Sequence, residues 1–235
     1  PIFTPEGTLT NHFVLVSGTV VNDPAVVVDG NEKVIRPRLA DAEFFFDQDK
    51  NTSLDTFVSR LEQRTFLKGL GTMRDKATRL ARLSKSFARH TAPGSEVNAE
   101  RAGLLAKADL SSAMVGEFAK LQGHMGRDYA RLADEDPDVA EAIYEHYLPR
   151  FATDTLPETS LGATTALADR WDSIVGCFVL GLEPSGSADP YALRRQALGI
   201  LRISIARPEG PTLTEGFQLT TECYEEGLCS DWDDA

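Results

Sequence analysis

At 235 residues, 42% of them hydrophobic, the chain is long enough to bury a real core and short for a multi-domain enzyme, which predicts one main domain with part of a second. No apolar run approaches the roughly 20 residues that span a bilayer, and no basic segment followed by an apolar one opens the sequence, so a soluble cytoplasmic protein with no membrane partner is expected. The net charge of −12 speaks against nucleic acid only as a total, because eight carboxylates and no Lys or Arg follow Arg207, while residues 60–89 hold nine basic side chains against Glu62 and Asp75.

Residues 9–28 carry LTNHFVLVSGTVV and AVVV, β-branched and aromatic runs broken by Asn22, Asp23 and Pro24, which predict strands at the end of a β-containing domain spanning residues 1–30. From Asn31 the pattern turns helical and stays so to residue 206. Leu39, Ala42, Phe45 and Phe46 suit packing, then Phe57, Val58, Leu61 and Phe66 in the next segment. Residues 72–90 place Met73, Ala77, Leu80, Leu83 and Phe87 on one helix face. Arg79, Arg82 and Arg89 fall on another, with Lys76 and Lys85 at its flanks. That basic stripe has two readings, a solvated surface and a grip on phosphate.

After a polar break at residues 90–98, helices are expected over residues 99–120, 137–147 and 164–181, with a proline-punctuated loop at residues 149–160. In GSADPYALRRQALGILRI (residues 186–203), Asp189 is placed to accept hydrogen bonds from first-turn amides, and Pro190 needs no amide partner, so a helix is expected to start there. Its apolar face comes from Ala192, Leu193, Ala197, Leu198, Ile200 and Leu201, leaving Arg194, Arg195 and Arg202 outside. Residues 207–235 lack periodicity and read as an acidic tail whose end is expected to be poorly ordered. Cys177, Cys223 and Cys229 offer neither a disulfide framework nor paired metal ligands, and Cys177 reads as a small buried side chain. His12, His90, His124 and His146 show no ligand spacing among themselves and read as structural or exposed.

Six blocks in register carry a resemblance: GNEKVIRPRLADAEFFFDQD (30–49), LGTMRDKATRL (70–80), KADLSSAMVGEFAKLQGHMGRDYA (107–130), VAEAIYEHYLPRFATDTLPET (139–159), LADRWDSIVGCFVLGLEPSGS (167–187) and GSADPYALRRQALGILRI (186–203). Together they resemble the beta subunit of bacterial glycyl-tRNA synthetase over roughly residues 11–203, with no counterpart visible beyond Ile203. The resemblance implies a mainly α fold, an HD-like helical domain over residues 31–206 preceded by the short β-containing end of another domain. It implies a piece of a longer subunit, with adenylation and transfer on a separate alpha subunit. That subunit would use the ATP and Mg, with no cofactor bound by this chain. The expected partners are the alpha subunit, the remaining beta-subunit domains and tRNA.

The HD phosphohydrolase chemistry needs a histidine, an adjacent His-Asp pair and a distant aspartate to hold a divalent ion that activates water. Here the pair position reads Ala108-Asp109 and the late position Asp169, so both read as relics of such a pocket, with no metal expected. Glu117 is open between that pocket and a buried pairing, and His124 sits in a glycine-flanked helix junction. No glycine-lysine phosphate loop, nucleophile elbow or cysteine with a plausible base occurs, so no catalytic residue is assigned. The expected work is binding and positioning of tRNA. Its candidate contacts are Arg74, Lys76, Arg79, Arg82, Arg127, Arg194 and Arg195, since arginine forks grip phosphate and stack on bases. Arg36 and Arg38 are further candidates, with a hinge role equally open. The rivals are a metal-dependent HD phosphohydrolase and a structural docking module.

Overall fold

Asp23 accepts a hydrogen bond from the amide of Ala25 at 3.0 Å, and Pro24 follows it at a position where its missing N–H costs nothing, so a helix starts here. In the computed structural model, which describes residues 2–228, this helix α1 runs Pro24–Asp49. The expected strand AVVV is therefore helical, and the helix opens seven residues before the predicted boundary at Asn31. The β-branched run misleads because Asp-Pro is a stronger local signal than valine content. Before it only an isolated bridge, Phe3 with Leu9, forms, and no sheet occurs among the described residues. The chain divides into two units, Pro1–Phe44 and Phe45–Ala235.

The second unit is mainly helical in its described part, with α2 (Leu54–Arg60), α3 (Met73–Thr91), α4 (Glu96–Leu105), α5 (Ala113–Glu117), α6 (His124–Leu132), α7 (Pro137–Glu145), α8 (Ser160–Val179), α9 (Leu193–Ala206) and α10 (Leu213–Leu228). Their starts follow from the sequence. Thr72 and Asp75 cap α3 reciprocally, Asp75 N–H donating to Thr72 Oγ1 at 3.2 Å and Thr72 N–H to Asp75 Oδ2 at 2.7 Å. Asp136 caps α7 through the Asp138 amide at 2.8 Å, with Pro137 in the first turn. Thr159 caps α8 through the Gly162 amide at 2.9 Å.

Three further expectations need correction. The helix expected over residues 99–120 is broken: α4 ends at Leu105, a 3-10 turn covers Ala108–Ser111, and α5 restarts because Ser112 accepts from the Val115 amide at 3.1 Å. Asp189 does accept from the amides of Leu193 and Arg194, at 2.7 and 3.0 Å, but α9 begins at Leu193 rather than Pro190. A turn closed by Ala192 N–H on Asp189 O at 3.1 Å intervenes, ending with Ala192 in the left-handed region. Most of the expected acidic tail, residues 213–228, is helix α10, capped by Thr212 and Glu215. The Thr-x-x-Glu pattern is the local cue for this start, and acidic composition masks it. Residues 229–235, where poor order is expected, lie outside the described residues.

The core forms where α3, α8 and α9 meet, with Leu80, Leu83 and Phe87 against Ala163, Ala166, Leu167, Ile200 and Ile203. Helix α8 is buried on nearly every side, so its apolar residues are not confined to a stripe. Its polar exceptions, Asp169, Arg170 and Asp172, must find partners inside the unit.

Candidate nucleic-acid interface

Asp169 and Asp172 organise a buried charge network. Asp172, fully buried, accepts from Arg79 Nε at 2.6 Å, Lys76 Nζ at 2.8 Å and the Tyr224 hydroxyl at 3.0 Å. Burial alone would neutralise it, but Lys76 and Arg79 outweigh that and hold its carboxyl below the usual range. Asp169 is flanked by Lys107 and Lys76, each at 2.9 Å, and its carboxyl lies well below the usual range because these cations overcome burial. Lys107 Nζ also lies 2.9 Å from His146 Nε2, while His146 Nδ1 sits 2.6 Å from the Ile143 carbonyl. Donation from Nδ1 leaves Nε2 to accept from the ammonium. Burial and the charge of Lys107 push the His146 pKa well down, consistent with this neutral tautomer.

Asp109 is held differently. Its Oδ2 accepts from the amides of Gly123 at 2.6 Å and Gly126 at 3.1 Å, while Oδ1 is buried with no hydrogen-bond partner. Burial raises its pKa to about 6 against the opposing pull of those amides. Arg170, also buried, donates to the carbonyls of Ala166 at 2.9 Å, His146 at 3.0 Å and Pro149 at 3.0 Å. Among the described residues no carboxylate forms an ion pair with it, and burial lowers its pKa to about 10, which keeps it charged at neutral pH.

Asp169 is already neutralised by two ammonium groups, Asp109 Oδ2 is taken by backbone amides, and among the described residues no three His, Cys, Asp or Glu side chains converge as ligands. Lys107, which no sequence pattern singles out, lies where the charge balance is decided. Its proximity to Asp109 in KAD is the only local signal of that role.

The basic candidates separate into distinct environments. Lys76 and Arg79, 2% and 8% exposed, are inside the network rather than on an outer stripe, so the expected continuous basic face of α3 does not exist. Helical spacing puts them beside the exposed Arg82, but α10 and α8 cover that side, and Arg79 lies 4.7 Å from the Tyr224 ring centre. Arg74 pairs with Glu62 at 3.4 Å. Arg127 pairs with Asp128 at 3.4 Å and Glu141 at 3.3 Å and covers the Tyr144 ring. Arg36 pairs with Glu32 at 3.0 Å one turn away on α1, where Arg38 is exposed. Arg194 and Arg195 project from α9 into solvent. The structure adds two exposed cations not singled out from sequence, Lys120 and Arg150, which with Arg195 line one cleft. No helix of the described residues is long and apolar enough to cross a membrane.

A profile of the glycyl-tRNA synthetase beta subunit matches residues 1–232, well past Ile203, so the likeness covers the segment expected to fall outside it. The glycine–tRNA ligase beta subunit of Syntrophus aciditrophicus is 49% identical over 223 residues, covering 95% of this chain and 32% of the relative. That of Desulforamulus reducens is 48% identical over 230 residues, 97% of this chain and 33% of the relative. In Alteromonas mediterranea the corresponding subunit is 50% identical over 203 residues, 86% and 29% of the two chains. The chain thus spans about a third of the length of the curated relatives it matches. With its helical unit, its buried charge network and this match along nearly its whole length, the chain belongs to the glycyl-tRNA synthetase beta subunit family.

Proposed function

We propose that the chain is the section of a glycine–tRNA ligase beta subunit that binds and positions tRNA, in the cytoplasm, for ATP- and Mg-dependent glycylation on an alpha subunit. The observation that carries this reading is the family match over residues 1–232. The helical unit from Phe45 onward is read as the HD-like domain, its metal chemistry replaced by lysine counter-ions at Asp169. Exposed Arg82, Arg194 and Arg195 supply phosphate contacts, whereas Lys76 and Arg79 hold the fold on which these are mounted.

Docking is the second role, and one observation favours it for the first unit. Val14, Val16, Val20, Val26 and Val34 are all more than half exposed on residues 1–44, a surface suited to contact with other domains of the subunit.

The test is binding of the chain to a glycine tRNA and to an unrelated tRNA across a salt series. Affinity should fall steeply with salt, and Arg82→Ala with Arg194→Ala should reduce the slope of log K against log salt by about two, roughly one per lost phosphate contact. An absence of binding at low salt would refute the RNA-positioning role of this section.

A further inference from the structure

A cleft of about 620 Å³ opens between the α5–α6 connection, the end of α7, α8 and α9, within the range of volumes that hold small ligands. Its rim carries Lys120, Arg150 and Arg195, all exposed, and among the described residues none of the three forms an ion pair. Arg170 lines it as well, a buried guanidinium whose hydrogen bonds among the described residues go to carbonyls. The single carboxylate in the lining, Asp169, is neutralised by Lys76 and Lys107 at 2.9 Å each. The cleft is therefore cationic although the chain is strongly acidic overall.

A second, independent observation comes from Tyr147. It lines the same cleft, and its hydroxyl is buried without a hydrogen-bond partner. Burial and the nearby charges of Asp109 and Asp169 push its pKa well up, so it stays a phenol and a donor. An orphaned buried donor is uncommon in folded proteins and calls for an acceptor. Its neighbours Lys107, 4.1 Å from the Tyr147 ring centre, and Arg170 are donors, while Asp109 and Asp169 lie near enough to raise its pKa. The three rim cations make the fitting ligand acceptor-rich and anionic. A lone carboxylate is too small to engage three rim cations at once, whereas a phosphate presents several charged oxygens with a sugar and base attached. Gln122 and Gln196, also in the lining, can donate to and accept from such groups.

We propose that this cleft is a phosphate-binding site in which Arg150, Arg195, Lys120 and the Tyr147 hydroxyl hold one nucleotide of a bound RNA strand; the RNA source rests on the tRNA-positioning reading above. The rim cations set the electrostatic part of affinity, and Tyr147 adds one neutral hydrogen bond.

The two contributions separate in a salt series on the 235-residue chain, with a glycine tRNA and inorganic pyrophosphate as probes. Arg150→Ala with Arg195→Ala should weaken tRNA binding about 5- to 30-fold and reduce the salt slope by about two. Tyr147→Phe should weaken it about 2- to 10-fold with the slope unchanged, while the unliganded chain unfolds at the same or a higher denaturant concentration, since an unsatisfied hydroxyl has been removed. A tyrosine with a purely structural role would lower stability instead. If tRNA binds and all three substitutions leave affinity and slope unchanged, the cleft proposal is overturned and the tRNA reading survives. If pyrophosphate binds saturably and is lost in the arginine variants while tRNA does not bind, the phosphate site stands and its RNA source falls. Absence of both overturns both.

Discussion

Replacing Asp172 by asparagine leaves two buried cations sharing no carboxylate. In the native chain Asp172 receives Arg79 Nε at 2.6 Å, Lys76 Nζ at 2.8 Å and the Tyr224 hydroxyl at 3.0 Å, at a fully buried position on α8. Asparagine keeps one acceptor oxygen and turns an amide NH₂ toward groups that are themselves donors. Lys76 retains Asp169 at 2.9 Å and the Ser173 hydroxyl at 3.0 Å, but among the described residues Arg79 retains the Leu70 carbonyl at 3.4 Å and the face of the Tyr224 ring, with no carboxylate. Breaking one side of a buried ion pair costs about 3–5 kcal/mol, a large share of the ~5–15 kcal/mol that holds an ordinary domain together. Urea unfolding is the suitable assay, since it leaves ionic strength constant along the titration. Lys76→Met is the comparison. It leaves Asp172 with Arg79 and Tyr224, and Asp169 with Lys107, so it should cost less than half as much. Because the Asp172 pKa is depressed in the folded state, its contribution is present above about pH 4 and is lost as pH falls through the folded value. A cost below about 1 kcal/mol for Asp172→Asn at pH 7, or a larger cost for Lys76→Met, would refute the role of Asp172 as the shared counter-ion of Lys76 and Arg79.

Asp109 predicts the opposite pH sign. Its folded pKa of about 6 lies above the unfolded value, so its favourable contribution is complete below about pH 4 and disappears as pH rises through about 6. The stability difference between native chain and Asp109→Asn should therefore change across pH 4–6.5, by roughly 3 kcal/mol at most, and a constant difference would show that Asp109 titrates normally. Gly103→Ala would set a Cβ 2.7 Å from the Leu80 carbonyl carbon and 2.8 Å from the Ala81 nitrogen, both backbone atoms of α3. The forced separation of α3 and α4 should cost about 1–3 kcal/mol despite alanine's better helix propensity, and thermal unfolding would read it; an unchanged midpoint would mean α4 can slide at no cost.

Helix starts are legible wherever a short-range hydrogen bond sets them. Pro137 and the cap before α3 are readable from neighbouring residues alone, whereas α8 starts at Ser160, four residues before the expected start at Thr164, and the Thr212–Glu215 signature of α10 is equally local, though the acidic composition around it points toward a tail. Asp189 shows the limit of such reading. Its role toward the first-turn amides is as expected, but the turn that moves the helix start to Leu193 depends on how the loop folds back.

The basic residues show why a site is less legible than a helix. Periodicity gives the angle of Lys76, Arg79 and Arg82 around α3, and Cys177 reads as buried from its apolar surroundings. Which side of α3 faces water depends on α8 and α10, whose contacting residues lie 93 or more positions away in sequence, and these bury two of the three cations. The cleft is more remote still from local pattern, because Lys120, Arg150 and Arg195 lie on three separate segments. Sequence by itself determined the helical character from residue 31 to 206 and the family, because these are carried by short-range pattern and by ordered similarity. Tertiary structure alone decided which charges are buried as counter-ions and which converge on a ligand-sized cleft, because burial and charge balance depend on segments brought together only by packing.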